Sequence, residues 1–250
     1  MTRVSARTHF HSSKLIRCLA DLAIVDVAGP GTAFAQQLGA WIHFADAIAL
    51  SAVHGEGIAS MPKMQSEARV AAHAAARAEF DRMRAMLAQS ITDSFSPGQG
   101  KTHIKLPAPM LEPPTDLAAA YTPYRRFYEA HQRDMGLRIQ SLRVNARAAA
   151  ANVSPALRKL AELDAAFDRI LRDRESKLLS KVPLLLKKRF EQLFKEHQQR
   201  PGADAPAAWI QGEGWLARFC DDMQMLLLAE LELRLQPALG LIEAIKQETQ

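Results

Sequence analysis

The run TPYRRFYEAHQRDMGLRIQSLRVNARAAAANVSPALRKLAELDAAFDRILRDRESKLLSKVPLLLKKRFEQLF, residues 122–194, decides the fold. Thr122-Pro123 and Ser154-Pro155 each pair a hydroxyl N-cap with proline at the first helical position. After the first, Tyr124, Phe127, Tyr128, His131, Met135, Ile139, Leu142, Ala146 and Ala149 recur every three or four residues. After the second, Leu157, Leu160, Leu163, Phe167, Ile170, Leu171, Leu178, Val182, Leu185, Leu186, Phe190, Leu193 and Phe194 do the same. Both are stripes on one side of a 3.6-residue helix, and neither suits a strand's period of two. Asn152-Val153 leaves only a tight connection, so the two helices are expected to lie antiparallel as a hairpin. At 1.5 Å per residue the second would approach about 65 Å. Pro183 is therefore expected to kink it, or to restart it with Ser180 as N-cap.

Upstream, a basic arm to about His11 precedes a helix carrying Leu15, Cys18, Leu19, Leu22 and Val25. Gly29-Pro30-Gly31 stops it, and a second helix places Phe34, Leu38, Trp41, Ile42, Ala45 and Ile48 on one face, with Trp41 as core anchor. Gly55 to Pro62 reads as a loop. Lys63 to Gln89 is alanine- and arginine-rich, and is expected to pack lightly or face solvent. The proline-rich stretch that follows reads as a linker. Beyond Arg200-Pro201-Gly202, a last helix carries Trp215, Phe219, Met223, Leu226, Leu227 and Leu231, with Pro237 restarting or kinking it. The expected fold is all-α and elongated: an N-terminal helical unit (1–91), a linker (92–120), the long hairpin (121–200) and a C-terminal helical segment (201–250).

Charge is segregated along the chain. The 250 residues carry a net charge of +5. Arg125–Arg147 has six arginines against Glu129 and Asp134, and Lys177–Arg200 has seven cations against Glu191 and Glu196. Ala203–Gln250 reverses the sign, with eight acids against Arg218, Arg234 and Lys246. Such asymmetry suits a polyanion-binding face or basic helices docking on acidic ones, and solvated helix faces produce the same runs. No apolar run approaches the roughly 20 residues of a membrane span. Cys18 and Cys220 form no spaced pair, the usage of a reduced, cytoplasmic protein.

Catalytic chemistry finds little support. Gly98-Gln99-Gly100-Lys101-Thr102 resembles the core of a phosphate loop, but no strand precedes it and Pro107 and Pro109 follow where a helix is required. The histidines are not grouped with cysteines or carboxylates at ligand spacing, so no metal and no cofactor are expected. His131 lies on the apolar stripe with Asp134 one turn on and no nucleophile in sequence reach. No enzyme is expected.

Ser12 through Ala23, Trp41 through Ile48, Tyr124-Arg125-Arg126-Phe127-Tyr128, His131 through Met135, Ser154-Pro155-Ala156-Leu157, Val182-Pro183 through Phe190, and Leu227 through Leu241 form a set of phrases. Together they resemble a bacterial family catalogued as domain of unknown function 3348. The resemblance implies a context rather than a chemistry: a soluble component of type III Zorya anti-phage operons. There it would work in the cytoplasm beside a proton-driven, stator-like membrane motor and a second soluble helical protein. The resemblance supplies no catalytic residue.

Three readings of function follow. The first is a non-enzymatic defence component that binds a partner helix, with double-stranded DNA as a second ligand and a homo-oligomer as an alternative association. The second is a sequence-independent DNA-binding effector, or a helical scaffold of an unrelated pathway. The third is an enzyme whose site a partner completes. The basic residues expected at DNA are Arg125, Arg126, Arg133, Lys187, Lys188 and Arg189, which an antiparallel hairpin brings to one end. The residues expected at a partner are Leu185 and Phe190, because the second long helix carries more apolar side chains than one neighbour covers, with Leu226, Leu227 and Leu231 on the last helix as the alternative face.

Overall fold

Leu226, Leu227, Ala229, Leu231, Leu235, Ala238 and Ile242 spread over more than half of the circumference of the last helix, and all are buried, while Gln236 and Gly240 keep its outer side exposed. A helix with so wide an apolar face needs neighbours on several sides. In a computed structural model, which describes residues 13–22, 41–55, 65–96, 103–109, 112, 114–199, 206–212 and 214–249, it has them. The helices are α1 (Lys14–Asp21), α2 (Phe44–Gly55), α3 (Ser66–Phe95), α4 (Leu117–Val153), α5 (Pro155–Leu179), α6 (Val182–Gln198) and α7 (Trp215–Thr249), with a 3-10 turn at Pro206–Ile210 before α7. Helices α1, α3, α4 and α6 and the 3-10 turn all pack on α7. The chain is all-α among the described residues, as the periodicity implies.

The hairpin is present. Ser154 ends α4 and caps α5, its hydroxyl accepting the Leu157 N–H at 3.2 Å, with Pro155 at the first turn. The meeting residues run in opposite senses. The Tyr121 hydroxyl donates to the Pro183 carbonyl, Gln132 donates to the Leu179 carbonyl at 3.0 Å, and Arg143 reaches Asp164 at 2.6 Å. Pro183 does break the second helix. Ser180 and Lys181 separate α5 from α6, and Lys181, not Ser180, is the N-cap of the restart. Two carbonyls near this joint accept from α4 side chains, so the break is tied to the neighbouring helix.

Three expectations are corrected. Helix α4 starts at Leu117, where the Asp116 carboxylate accepts the N–H groups of Ala118 (2.8 Å) and Ala119 (3.3 Å); Thr122-Pro123 lies inside it, and Thr122 instead donates to the Ala118 carbonyl. The alanine-rich helix α3 is core, because Phe80, Leu87 and Ile91 recur on one face and bury against α4 and α7. Arg77–Glu243 and Arg84–Glu232 pair the same helix to α7 at its rim. Trp41 is no core anchor: it is half-buried, with the Arg174 guanidinium 6.0 Å from its ring, while Phe44 stays 84% exposed and Ile48 is exposed too.

The boundaries at 91, 120 and 200 do not divide the core. One cluster joins Leu19, Phe80, Leu87, Ile104, Tyr124, Phe190 and Leu226. The proline-rich segment contributes Ile104 to it and returns a backbone bond from Leu106 N–H to the Ser94 carbonyl at 3.3 Å. The basic arm to His11, the stop at Gly29-Pro30-Gly31 with Phe34 and Leu38, most of the loop from Gly55 to Pro62, the Gly98–Thr102 motif and the break at Arg200-Pro201-Gly202 lie outside the described residues.

Candidate nucleic-acid interface

Three polar clusters inside the bundle are the first places to look for chemistry, and each is closed. Ser94 and His131 are both buried, with Ser94 Oγ 2.9 Å from His131 Nε2. The serine hydroxyl donates to the Ile91 carbonyl at 2.6 Å. Its single proton is therefore engaged, and the imidazole N–H must donate to the serine oxygen. Burial holds the His131 pKa down at about 4 against the opposing pull of Asp134, so the ring is neutral at pH 7. A ring nitrogen that carries a proton cannot accept the serine's, and the pair ties α3 to α4. The Asp134 carboxylate is bound to Arg138 at 2.9 Å, so it does not orient the ring.

Glu230 is fully buried at the meeting of α4, α7 and the α5–α6 break. Its oxygens accept from Tyr128 (2.9 Å), Gln132 (3.0 Å) and Arg234 (2.7 Å). Burial, then the adjacent Glu230 charge, pushes the Tyr128 hydroxyl well above its ordinary value. It is a neutral donor at any ordinary pH.

The third cluster holds the upper hairpin. Arg143 takes Asp164 with two nitrogens (2.6 and 2.9 Å) and Asp168 with a third (3.0 Å). Arg147 bridges the same two acids (2.6 and 2.9 Å), and Arg172 adds a 2.8 Å contact to Asp168. Burial alone would raise the Asp168 pKa, but the bonds from Arg172 and Arg147 and the Arg143 charge outweigh it and hold it low. These arginines are part of the frame. Cys220 adds no nucleophile, since burial pushes its thiol up to about 12.

The five residues expected at a partner are not on a surface. Phe190, Leu226, Leu227 and Leu231 are fully buried, and Leu185 packs against the same core from its edge. The count of apolar positions on the second helix was right, but its neighbours are several: α5 meets α2, α4 and α7, and α6 meets α4 and α7. Phe190 alone contacts Tyr121, Tyr124, Trp215 and Phe219, with ring centroids 5.1–5.7 Å away. Aromatic Tyr121 and Tyr124, which interleave with the arginines in sequence, are likewise in the core.

The six basic residues expected at DNA divide. Arg189 is locked to Asp222 at 2.8 Å, both nearly buried. Arg125 and Lys187 sit in i,i+4 pairs with Glu129 and Glu191, each at 3.7 Å. Such loose, exposed pairs are worth little and open readily. Arg126, Arg133 and Lys188 are exposed and take part in no ion pair among the described residues. The rings of Tyr121 and Tyr124 against Phe190 confirm that the start of α4 lies beside α6.

Lys188 has company that the sequence reading passed over. Lys181, the N-cap of α6 with helical backbone angles, and Lys188 and Lys195 on the solvent side of α6 lie seven residues apart, all exposed and none in an ion pair among the described residues. Seven residues bring a helix back to nearly the same angle, so the three form a ridge about 21 Å long. The signal was the period of seven; attention to the contiguous Lys187-Lys188-Arg189 hid it, because adjacent residues face different ways. Along 21 Å, duplex DNA presents on the order of twelve phosphates.

Among the described residues no group of three His, Cys, Asp or Glu side chains could hold a metal ion, and no helix is long and apolar enough to cross a membrane. No curated protein and no solved structure matches the chain. A family model described as Protein of unknown function (DUF3348) matches residues 1–247, and the chain belongs to that family.

Proposed function

We propose that this member of the family is a non-enzymatic helical component of a Zorya-type, type III, anti-phage defence system, and that it holds duplex DNA on the outer face of α6. In this reading it works in the cytoplasm beside a stator-like membrane motor and a second soluble helical protein. The defence context rests on the resemblance of the chain's phrases to that family's. The contact with DNA rests on one observation, the unpaired ridge of Lys181, Lys188 and Lys195. Lysines on flexible stems meet phosphate as point charges, so the binding is expected to ignore sequence. The inward-turned Ser94–His131 and Glu230 clusters are consistent with a protein that acts by binding.

The test is the salt dependence of binding to a fluorescent duplex. If three lysines each displace a counterion, they contribute about 3 to the slope of log affinity against log salt. Between 50 and 200 mM that is on the order of 40-fold in affinity. Changing Lys181, Lys188 and Lys195 together to Gln should flatten the slope by about that amount, equally for unrelated duplexes. A wild-type chain that does not bind duplex at 50 mM salt, alone or with its operon partner, would sink the DNA reading. The ridge would then be a solvated face.

A further inference from the structure

The solvent side of α4 carries a second exposed stripe, and its composition is unlike that of α6. Arg126, Arg133, Leu137, Ser141, Val144 and Ala148 are all exposed and follow one another at spacings of seven, four, four, three and four. On a helix these spacings keep one face. Leu137 is 76% exposed and Val144 49%, one heptad apart, with small Ser141 and Ala148 beside them. Large apolar side chains separated by small ones are knobs with holes between them, the surface that a second helix takes along a heptad seam. The arginines stand at one end of the stripe. Their nearest sequence acids are taken: Glu129 by Arg125 and Asp134 by Arg138. Among the described residues no other helix covers this side, since α3 reaches α4 through His131 and Asn145 and α5 through Arg143.

We propose that this stripe is a docking seam for an amphipathic helix of another protein, apolar where it meets Leu137 and Val144 and acidic where it meets Arg126 and Arg133. Charge decides the partner's identity. A second copy laid antiparallel about the middle of the stripe sets Arg133 against the region of Ser141 and Arg126 against that of Ala148, and a parallel copy sets arginine against arginine. Neither supplies an acid. The undescribed stretches of this chain hold no row of acids either: 1–12 and 97–102 have none, and 23–40, 56–64 and 200–205 have one each, Asp26, Glu56 and Asp204, with Glu213 standing alone. From Arg126 to Ala148 the seam is about 33 Å long, so the partner segment has about six turns. The proposal is independent of DNA on α6.

The experiment uses the full chain and a synthetic amphipathic peptide of about 28 residues, built with leucine on one seam and glutamate beside it. The same peptide with lysine for glutamate is the control. Binding is read by fluorescence anisotropy at 150 mM salt. The glutamate peptide should bind at least tenfold tighter than the lysine peptide. Leu137→Ser with Val144→Ser should weaken it at least tenfold with only a small fall in melting temperature, because Leu137 is mostly and Val144 half in water. Arg126→Glu with Arg133→Glu should reverse the preference between the peptides. Changing Lys181, Lys188 and Lys195 to Gln should leave peptide binding in place. The proposal is overturned if the glutamate peptide does not bind, if binding survives the Leu137 and Val144 changes, or if it is lost with the α6 lysines instead. A wild-type dimer that Leu137→Ser dissolves would make the seam a self-association face and overturn it as well.

Discussion

Replacing Glu230 by Gln changes one atom in the core and should be among the costliest single substitutions in the chain. The carboxylate is fully buried and receives donors from Tyr128, Gln132 and Arg234, three side chains on two helices. Gln keeps the volume but halves the acceptors and adds an NH2 that faces other donors. It also leaves the Arg234 guanidinium, 15% exposed, without its counter-charge. Removing one member of a buried pair costs about 3–5 kcal/mol, and the partial access of Arg234 to water puts this case near the lower end, about 3 kcal/mol. For a chain of this length that corresponds to a fall of roughly 6–12 °C in melting temperature. Tyr128→Phe removes only one of the donors and should cost about 1.5 kcal/mol. Urea unfolding of both variants, followed by circular dichroism, reads the two values. A loss under 1 kcal/mol for Glu230→Gln would refute the reasoning, because it would mean that the group is solvated.

Acidification should begin to weaken the fold below pH 6.5, through the buried His131. His131 is held at about 4, below its ordinary 6.5, so the unfolded chain binds a proton that the folded chain refuses; stability is intact above pH 6.5 and falls towards pH 4, by about 3 kcal/mol at most. Urea midpoints measured across that window should lose this slope in His131→Asn. Gly214→Ala should destabilise the start of α7, since a Cβ there would collide with the carbonyls of Ala208 and Trp209; about 2 kcal/mol and a change in tryptophan fluorescence are expected. Gly136→Ala should do the opposite and add about 0.5–1 kcal/mol to the unfolding free energy, as a mid-helix glycine whose Cβ would meet nothing within 4 Å.

Much of the fold was legible because its signals are local. Ser154-Pro155 marks a helix start by its own chemistry, Pro183 stands at the restart of α6, and the stripes on α4 and α6 have the period of a helix, although Pro123 and Pro237 lie inside continuous helices. The start of α4 was misplaced because Thr122-Pro123 and Asp116 are both acceptable N-terminal signals, and only the surrounding packing decides between them. What no stripe tells is which element covers it. Phe190 reads as surplus apolar surface in a hairpin considered alone, and it is core because Trp215 and Phe219 of α7 lie against it. The alanine-rich α3 looked light because three large side chains a few turns apart, Phe80, Leu87 and Ile91, suffice when the neighbours come close over alanines. At the candidate interface, Lys188 was readable and Arg189 was not, since its acid, Asp222, is 33 residues away. Lys181 and Lys195 needed only the helical period that was already applied to the apolar residues.

Lysine acetylation of the whole chain, with and without a duplex of about 20 base pairs at 50 mM salt, reads the DNA contact most directly. Free in solution, Lys181, Lys188 and Lys195 should all react, being exposed and unpaired. With duplex bound, mass spectrometry should find those three protected together and Lys105, on the segment before α4, as reactive as before. Equal acetylation of the α6 lysines in both samples, or protection that falls on other lysines and spares the ridge, would contradict it.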